Sequence, residues 1–406
     1  MIESAAAIDL DTSSIHSETS IAMRLKLVSF LFQGFVVICA MLTPFGAALA
    51  AILPDAPSIG ARAYILQDFD SGRVLSETNA DERLEPASLT KILTAYVVFE
   101  ELKQGNISME DEVRVSEKAW RMGGSKMFIE VDTKVSIEDL LKGLIIQSGN
   151  DASVALAEFI AGDEGAFADL MNQYAVRLGM TNSHFVNASG LPDPEHYTTA
   201  RDTATLAAAI IRDFPELYKT HSIKEYEYNG IVQHNRNRLL WRDESVDGLK
   251  TGHTESAGYC LVASAARDGM RLISVVMGSE SERSRARESI ALLSYGFRFF
   301  ETHRLYGALE PLTEIRIWKG EIEKLGIGLA RDLYVTVPRG QYEKLDARME
   351  IDSKVVAPVT KGEARGKLEV TLGGEQIAQR PLVTLAPVEE GGLWRKVSDQ
   401  VRMLFH

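Results

Sequence analysis

The sequence of 406 residues has only two cysteines, Cys39 and Cys260, and no cysteine–histidine cluster with zinc-ligand spacing. It contains no H-E-x-x-H motif either, so we expect neither a metal nor another cofactor. Cys39 lies in an apolar N-terminal run, and without that run no internal disulfide can form. We therefore expect Cys260 to be a small buried hydrophobic residue and not a reactive thiol.

The sequence also lacks an excess of positive charge, since its formal net charge is -13. Nucleic-acid binding requires a basic surface, so we expect no nucleic-acid partner. The hydrophobic fraction of 45% and the charged fraction of 25% are those of an ordinary globular protein. A chain of this length exceeds one compact core and predicts two domains with additional terminal segments.

The N-terminal residues predict an export signal. Arg24 and Lys26 precede the apolar run Leu27–Ala40, and Ala48-Leu49-Ala50 forms a small-x-small cleavage pattern. We expect cleavage after Ala50, and the acidic residues upstream favour Met23 as the translation start. The alternative is an uncleaved membrane anchor, because the apolar stretch is nearly long enough to span a bilayer.

After a leader of residues 1–50, the pattern predicts two domains. Residues 51–302 begin with a hairpin signature, continue through helical patterns and end in strand-like runs that turn at Asp268-Gly269. Strands at both ends with helices between them predict an α/β fold, in which an antiparallel sheet packs against a helical cluster. Residues 303–390 show short alternating runs separated by turns, which predict a small all-β sandwich domain.

Residues 391–406 predict an amphipathic helix. Its apolar face carries Leu393, Trp394, Val397, Val401, Leu404 and Phe405. Its polar face carries Arg395, Lys396, Asp399 and Arg402. Aromatic ends with basic residues between them favour binding to a membrane surface, whereas a helix packed on its own domain, or a frayed tail, remains an equal alternative.

Three short motifs occur in a fixed order. Ser88-Leu89-Thr90-Lys91 reads S-x-x-K, Ser148-Gly149-Asn150 reads S-x-N, and Lys250-Thr251-Gly252 reads K-T-G. Each motif alone is weak, since an S-x-x-K is expected about once by chance in a chain of this length. Together they form the set found in class A β-lactamases and penicillin-binding proteins.

The motif residues support nucleophilic catalysis. Ser88 and Lys91 lie three apart on a predicted helix, so both side chains project from one face. A desolvated lysine beside another cation has a lowered pKa and can take the proton of a serine hydroxyl. We expect Lys91 to be this neutral base and Lys250 to be the charged neighbour. The helix N-terminus and the backbone N–H of Ser88 would stabilise an oxyanion.

The other motif residues are candidates for substrate contacts. Ser148 can relay a proton to a leaving amine, and Asn150 can hydrogen-bond a substrate amide. Lys250 and Thr251 can hold a carboxylate. Gly252 would let the substrate backbone lie along the strand without a clash. A Ser-His-Asp triad is the rival arrangement, but no G-x-S-x-G elbow accompanies the histidines of this region. These histidines are His184, His196, His221, His234 and His253.

At these residues the chain resembles the low-molecular-mass penicillin-binding proteins, and most of all the serine D-alanyl-D-alanine carboxypeptidases of Gram-negative bacteria. The resemblance covers about residues 51–406. It is carried by Pro86–Lys91, Gln147–Ala152, Thr199–Asp202, Asn235–Asn237, Asp247–Thr254, Ala257–Tyr259 and Gly296–Phe300, and further by Pro338–Gly340, Gln379–Val383 and the C-terminal helix.

The resemblance implies that Ser88 is acylated by a peptidoglycan stem pentapeptide ending in D-Ala-D-Ala, that the last D-alanine is released, and that the acyl-enzyme is hydrolysed. β-Lactam antibiotics would acylate the same serine as inhibitors. It places His253, Arg236 and Arg285 with Thr251 and Gly252 among the substrate-binding residues. It also implies a periplasmic enzyme attached through its C-terminal helix to the outer face of the inner membrane.

Alternative functions remain open within and outside this family. A β-lactamase would share the three motifs, but it would lack the β domain and would require a deacylating glutamate, for which no convincing E-x-x-x-N loop is present between Ser148 and Lys250. A D,D-endopeptidase would cleave cross-linked peptides with the same residues. A non-catalytic binding protein would retain the cleft only as a scaffold.

Overall fold

In a computed structural model of the chain, which describes residues 53–404, strands from both ends of the predicted α/β domain form one sheet. The predicted export signal lies outside the described residues. The strands of this part are β1 (Ala63–Asp68), β2 (Val74–Thr78), β3 (Glu112–Arg114), β4 (Lys134–Ser136), β5 (Glu225–Tyr228), β6 (Ile231–His234), β7 (Val246–Thr254), β8 (Gly258–Arg267) and β9 (Met270–Ser279). The helices are α1 (Thr90–Gln104), α2 (Glu117–Arg121), α3 (Ile137–Lys142), α4 (Asn150–Ala161), α5 (Glu164–Leu178), α6 (Ala200–Asp213), α7 (Pro215–Tyr218) and α8 (Glu282–Phe299).

The main sheet is antiparallel, with the strand order β2-β1-β9-β8-β7. Along β1, Ala63 and Ile65 belong to a core shared with the helical cluster, and Tyr64 and Leu66 belong to a core shared with α8. This alternation follows from the two-residue period of a strand. The sheet is thus covered on both faces, which confirms the predicted α/β architecture.

Two predicted hairpins are present. β1 and β2 pair around the turn at Gly72, and β8 and β9 pair across Asp268-Gly269. Asp268 and Gly269 have φ values of 49° and 80°, as a two-residue turn that follows the twist of its strands requires. Cys260 lies in β8, buried and unpaired, and burial raises the pKa of its thiol to about 11. Its predicted role as a small buried residue is confirmed.

The C-terminal part of the chain forms a β domain. Its strands are β10 (Phe300–Tyr306), β11 (Pro311–Trp318), β12 (Lys324–Gly328), β13 (Leu333–Pro338), β14 (Leu345–Ile351), β15 (Val355–Val356), β16 (Ala364–Leu372) and β17 (Glu375–Thr384). Six of them form a sheet in the order β14-β16-β17-β12-β11-β15, and β10 pairs with β13. Alternating residues such as Ile315, Ile317, Val335 and Val370 fill one apolar core. The predicted all-β pattern is therefore confirmed.

Hydrogen bonds join the β domain to the main sheet. Thr302 Oγ1 donates to Asp68 Oδ2 at 2.7 Å, and Arg73 Nη1 donates to the carbonyl oxygen of Thr336 at 2.6 Å. Ser71 Oγ lies 2.6 Å from Thr336 Oγ1. Asp68 is fully buried, so its carboxylate depends on these partners. The junction therefore fixes β10 and β13 against the β1–β2 hairpin.

The C-terminal helix α9 (Leu393–Arg402) follows the β domain. Asp399 on its polar face is 4% exposed and accepts a hydrogen bond of 2.7 Å from the backbone N–H of Lys319. The apolar side chains point outward, so the polar face and not the apolar face contacts the domain. Their exposed fractions are 81% for Leu393, 89% for Trp394, 59% for Val397, 52% for Val401 and 75% for Leu404. Within residues 53–404, no helix has the length and apolarity needed to cross a bilayer.

Candidate active site

Ser88 lies in a tight turn that leads into α1. The turn spans Ala87–Leu89 with 3-10 geometry, and Ala87 has a φ of 47°, in the left-handed region. The hydroxyl of Thr90 donates to the carbonyl oxygen of Ala87 at 2.9 Å and holds this conformation. A non-glycine residue in this region is strained, and such strain is found where the surrounding structure positions a functional group.

Lys91 is buried directly behind Ser88. Its Nζ lies 3.0 Å from Ser88 Oγ, 2.7 Å from Asn150 Oδ1 and 2.6 Å from the carbonyl oxygen of Ser189. Burial lowers the pKa of Lys91 to about 7, and the charges of Asp151 and Glu164 limit the decrease. Near neutral pH, a large fraction of Lys91 is therefore uncharged.

The three partners of Lys91 match the bonding capacity of a neutral amine. Asn150 Oδ1 and the Ser189 carbonyl oxygen can only accept, so they take the two N–H hydrogens. The lone pair of the nitrogen then points to Ser88 Oγ, which can donate its proton. The arrangement is that of a general base bound to a nucleophile.

Ser148 and Asn150 reach the site because α3 ends in an unusual turn. Gly143–Gln147 has π-helical hydrogen bonding, and Ser148 follows with a φ of 66°. Such turns are frequent at functional sites. Asn150 begins α4, and its Nδ2 donates to the carbonyl oxygen of Gly123 at 2.7 Å. This bond orients the amide so that its oxygen accepts from Lys91.

Lys250 and Thr251 lie on the edge strand β7, beside the Ser88 turn. Lys250 Nζ donates to Ser148 Oγ at 2.8 Å and to the carbonyl oxygen of Thr251 at 3.1 Å. Burial lowers the pKa of Lys250 well below its usual value, and the charges of Lys91, Arg285 and Arg236 lower it further. The charged groups that act on the pKa of Lys250 are all cations, and a charged Lys250 in the working enzyme stays a prediction.

The structure gives a packing reason for glycine at position 252, in addition to the predicted room for the substrate backbone. A Cβ atom at Gly252 would lie 3.0 Å from the carbonyl oxygen of Pro86 and 3.2 Å from Cβ of Ala87. The space next to this glycine is filled by the nucleophile turn and not by open cleft. Glycine thus allows β7 to approach Ser88 closely, whatever contacts the substrate makes.

The remaining predicted residues lie around a cleft of about 260 Å³ that opens in front of Ser88. Its walls include Ser88, Ser125, Ser148, Arg236, Thr251, Gly252, His253, Tyr259, Glu282 and Arg285. Arg285 is 7% exposed and donates to the carbonyl oxygen of Gly252 at 3.0 Å. His253 is exposed and stacks on Tyr259, with ring centroids 4.0 Å apart. The structure therefore brings together every residue that the sequence analysis named for the site.

His196 supports the site in a way that the sequence did not indicate. Its Nδ1 accepts from the backbone N–H of Val186 at 3.1 Å, so Nε2 carries the hydrogen and donates to Thr90 Oγ1 at 2.8 Å. Thr90 in turn donates to Ala87. Burial lowers the pKa of His196 to about 4, so the ring is neutral. His196 thus supports the turn that carries Ser88.

Asp151 was also missed. It is fully buried, and it accepts backbone hydrogen bonds from Met127 at 3.0 Å, Phe128 at 2.9 Å and Ala152 at 2.9 Å. These bonds tie the loop that carries Ser125 to the start of α4. Asp151 follows the S-x-N motif directly, and an acid in the first turn of a predicted helix was the available signal.

No described histidine forms a catalytic pair with Ser88. Their hydrogen bonds and ring contacts lead elsewhere: His184 to the Glu195 carbonyl oxygen, His196 to Thr90, His221 to the Leu249 carbonyl oxygen, His234 to Glu225, His253 to Tyr259 and His303 to Tyr342. The rival Ser-His-Asp arrangement is therefore not formed within residues 53–404, and Lys91 is the base that reaches Ser88 Oγ.

Two family models match the chain. One is described as D-alanyl-D-alanine carboxypeptidase and matches residues 50–281. The other is described as penicillin-binding protein 5, C-terminal domain, and matches residues 300–390. The first model thus covers the main sheet and every predicted site residue except Arg285, and the second covers the strands of the β domain.

Curated relatives and solved structures agree with these matches. The chain is 48% identical to the D-alanyl-D-alanine carboxypeptidase DacC of Escherichia coli (strain K12) over 360 residues, which are 87% of this chain and 90% of the relative. It is 42% identical to DacA of the same organism, over 88% of this chain and 91% of the relative. Penicillin-binding protein 5 from Haemophilus influenzae superposes with a TM-score of 0.80 at 44% identity, over 83% of this chain and 100% of that structure. The chain therefore belongs to the D-alanyl-D-alanine carboxypeptidase family, also known as peptidase family S11.

Proposed function

We propose that this protein is a serine D-alanyl-D-alanine carboxypeptidase that removes the terminal D-alanine from peptidoglycan pentapeptide stems. The observation that carries the proposal is the 3.0 Å contact between Ser88 Oγ and Lys91 Nζ, whose pKa burial lowers to about 7. Membership of the family supplies the substrate class, because the relatives are named for this activity.

Acylation starts with the transfer of the Ser88 hydroxyl proton to neutral Lys91. Ser88 Oγ attacks the carbonyl carbon of the penultimate D-alanine, and the C–N bond to the terminal D-alanine then breaks. The leaving amine takes a proton from Ser148, and Ser148 regains one from protonated Lys250. The proton that Lys91 took from Ser88 replaces the one that Lys250 gave, so both lysines return to their starting states. In the second stage water attacks the ester, which releases the shortened peptide and restores the Ser88 hydroxyl.

Binding of the substrate carboxylate would change the charges in the cleft. Thr251, Arg236 and Arg285 line the cleft, and Lys250 directly precedes Thr251 on β7. A carboxylate placed there offsets the repulsion that lowers the pKa of Lys250 and favours its charged form. Lys250 would thus be protonated when the leaving group requires a proton. The backbone N–H of Ser88, at the start of α1, is our candidate donor to the oxyanion.

β-Lactams are expected to acylate Ser88 in place of the peptide. The direct test incubates purified protein with a diacyl-Lys-D-Ala-D-Ala tripeptide and measures free D-alanine. Ser88→Ala must abolish the release, and Ser125→Ala in the same cleft serves as the matched control. Turnover of nitrocefin without release of D-alanine would favour the β-lactamase alternative. A protein that neither releases D-alanine nor hydrolyses nitrocefin, and that is not labelled by fluorescent penicillin, would favour the scaffold alternative.

We further propose that the enzyme acts in the periplasm, at the outer face of the inner membrane, after removal of residues 1–50. The proposed division assigns residues 51–302 to the catalytic domain, 303–390 to the β domain and 391–406 to a membrane anchor. The outward apolar face of α9, with Trp394 89% exposed, supports the anchor. Asp399 holds the opposite face on the β domain, so a membrane could contact α9 without releasing it from the protein.

A further inference from the structure

A second recess opens from one end of the cleft. It has a volume of about 500 Å³, compared with about 260 Å³ for the cleft itself. Arg236, Thr251, Glu282 and Arg285 line both spaces, whereas Ser88 and Ser148 line only the cleft. The recess therefore continues from the end of the cleft where Thr251 and Arg285 lie, away from the nucleophile.

The walls of the recess carry an excess of positive charge. They include five arginines and a single acid, Glu282. The arginines are Arg236, Arg238, Arg242, Arg283 and Arg285. This concentration is unexpected in a chain whose net charge is -13. Arg283 and Arg285 also lie in the first turns of α8, whose N-terminal end favours anions.

Most of this charge is not neutralised within the protein. Among residues 53–404, the only ion pair in the recess joins Arg285 to Glu282, at 3.8 Å. No described carboxylate lies within 4.0 Å of the guanidinium groups of Arg236, Arg238, Arg242 or Arg283. Arg238 stacks on Trp241 at 5.6 Å, which orients the guanidinium without cancelling its charge.

The charge of this region acts on the site itself. Burial lowers the pKa of Lys250 and of Arg285, and the positive charge of Arg236 lowers both further. A ligand that carried a single carboxylate would be held by Thr251, Arg285 and Arg236 at the shared wall. Arg238, Arg242 and Arg283 would then still lack a partner. The recess can therefore accommodate a second anionic group.

We propose that the recess binds an anionic extension of the leaving group, so that the enzyme releases a terminal D-amino acid with a side-chain carboxylate faster than its uncharged isostere. The proposal rests on the proposed function, because that function places the leaving group next to Thr251. The bond that breaks and the acyl-enzyme are the same as for D-alanine, and only the departing amino acid differs.

The test compares two substrates of equal shape, diacetyl-Lys-D-Ala-D-Glu and diacetyl-Lys-D-Ala-D-Gln, with the D-Ala-D-Ala tripeptide as reference. Exposed ion pairs are weak, so several together predict a preference of about tenfold in kcat/KM for D-glutamate over D-glutamine at low salt. The preference should decrease toward one in 1 M NaCl, where charges are screened over about 3 Å.

Substitutions separate the recess from the cleft. R238Q/R242Q should reduce the preference for D-glutamate by about three- to tenfold and leave kcat/KM for the D-Ala-D-Ala tripeptide within about twofold of the unmodified enzyme. The matched control is R331Q/R348Q, which removes two charges from exposed arginines of the β domain and should not alter the preference. Acylation by fluorescent penicillin verifies that each variant is folded.

Each outcome decides between the proposals. A preference near or below one in the unmodified enzyme, or an equal loss for all substrates in R238Q/R242Q, would overturn the binding of an anionic extension. In both cases release of D-alanine from the reference tripeptide would still support the proposed function. Failure to release D-alanine from the reference would reject the proposed function itself, and with it the proposal for the recess.

Discussion

The lowered pKa of Lys91 predicts the pH dependence of acylation. A lysine with the usual pKa of 10.5 is neutral in about one molecule in 3,000 at pH 7, whereas a pKa of about 7 makes about half of the molecules neutral. Burial therefore increases the reactive form about a thousandfold. Because the neutral form is active, the second-order rate constant for β-lactam acylation should rise about tenfold per pH unit below pH 7 and level off above pH 8.

Glu164 allows a test of what sets the pH at which the acylation rate levels off. Its negative charge raises the pKa of Lys91. Glu164→Gln should therefore move the rising part of the pH–rate profile to lower pH. The amide can still accept the 3.2 Å hydrogen bond from the backbone N–H of Ala188. Glu138→Gln is the matched control, because Glu138 pairs with Lys142 on the surface and does not act on Lys91.

The measurement is stopped-flow or gel-based acylation between pH 5 and 10, with a β-lactam that does not titrate in this range. Lys91→Arg should nearly abolish acylation, since a guanidinium cannot accept the proton at working pH. An acylation rate that rises only near pH 10, or a profile that moves to higher pH in Glu164→Gln, would refute the assignment of Lys91 as the buried base.

Four further predictions follow from the site and the terminal segments. Mass spectrometry after benzylpenicillin treatment should find one adduct, on the peptide that contains Ser88, and labelling of Ser88→Ala would contradict this. His196→Ala should slow acylation about tenfold by loosening Thr90, and His196→Gln should restore part of the rate because it keeps a hydrogen-bond donor. The pH–rate profile should show no change of slope near pH 6.5, since the pKa of His196 is lowered to about 4. Equal rates in the unmodified enzyme and both variants would exclude a positioning role. Truncation after Gly391 should move the protein to the soluble fraction and leave tripeptide hydrolysis intact; a truncated protein that still pellets with membranes would contradict the anchor. N-terminal sequencing of the exported protein should start at Ala51, and a retained leader would instead support an uncleaved anchor.

The sequence located the residues that lie together around Ser88 because its signals are local. Ser88 and Lys91 lie three residues apart where a 3-10 turn leads into α1, and the two other motifs occupy a turn and an edge strand whose patterns are readable. The hairpin at Asp268-Gly269 and the alternation of β11 and β13 were readable for the same reason. Periodicity and turn chemistry act over a few residues, so they can be recognised without knowledge of the fold.

Features that depend on distant contacts could not be predicted. His196 reaches Thr90 across 106 positions of sequence, and its neutral state follows from burial that only the fold reveals. The packing of Gly252 against Pro86 and the lowered pKa of Lys250 have the same origin. The sequence did not single out Arg238 or Arg242, and only the fold places them beside α8.

The strand order of the main sheet has a consequence for the folding of the enzyme. β1 pairs with β9, so Ala63 and Met277 are neighbours although more than two hundred residues separate them. Ser88 and Lys250 are brought together only when this long-range pairing closes the sheet. Sheets that join distant segments form slowly, because the entropy of loop closure is lost before the contacts form. A chain cut before β9 should have all three motifs and no reactivity, so covalent labelling by penicillin reports completed folding as well as catalysis.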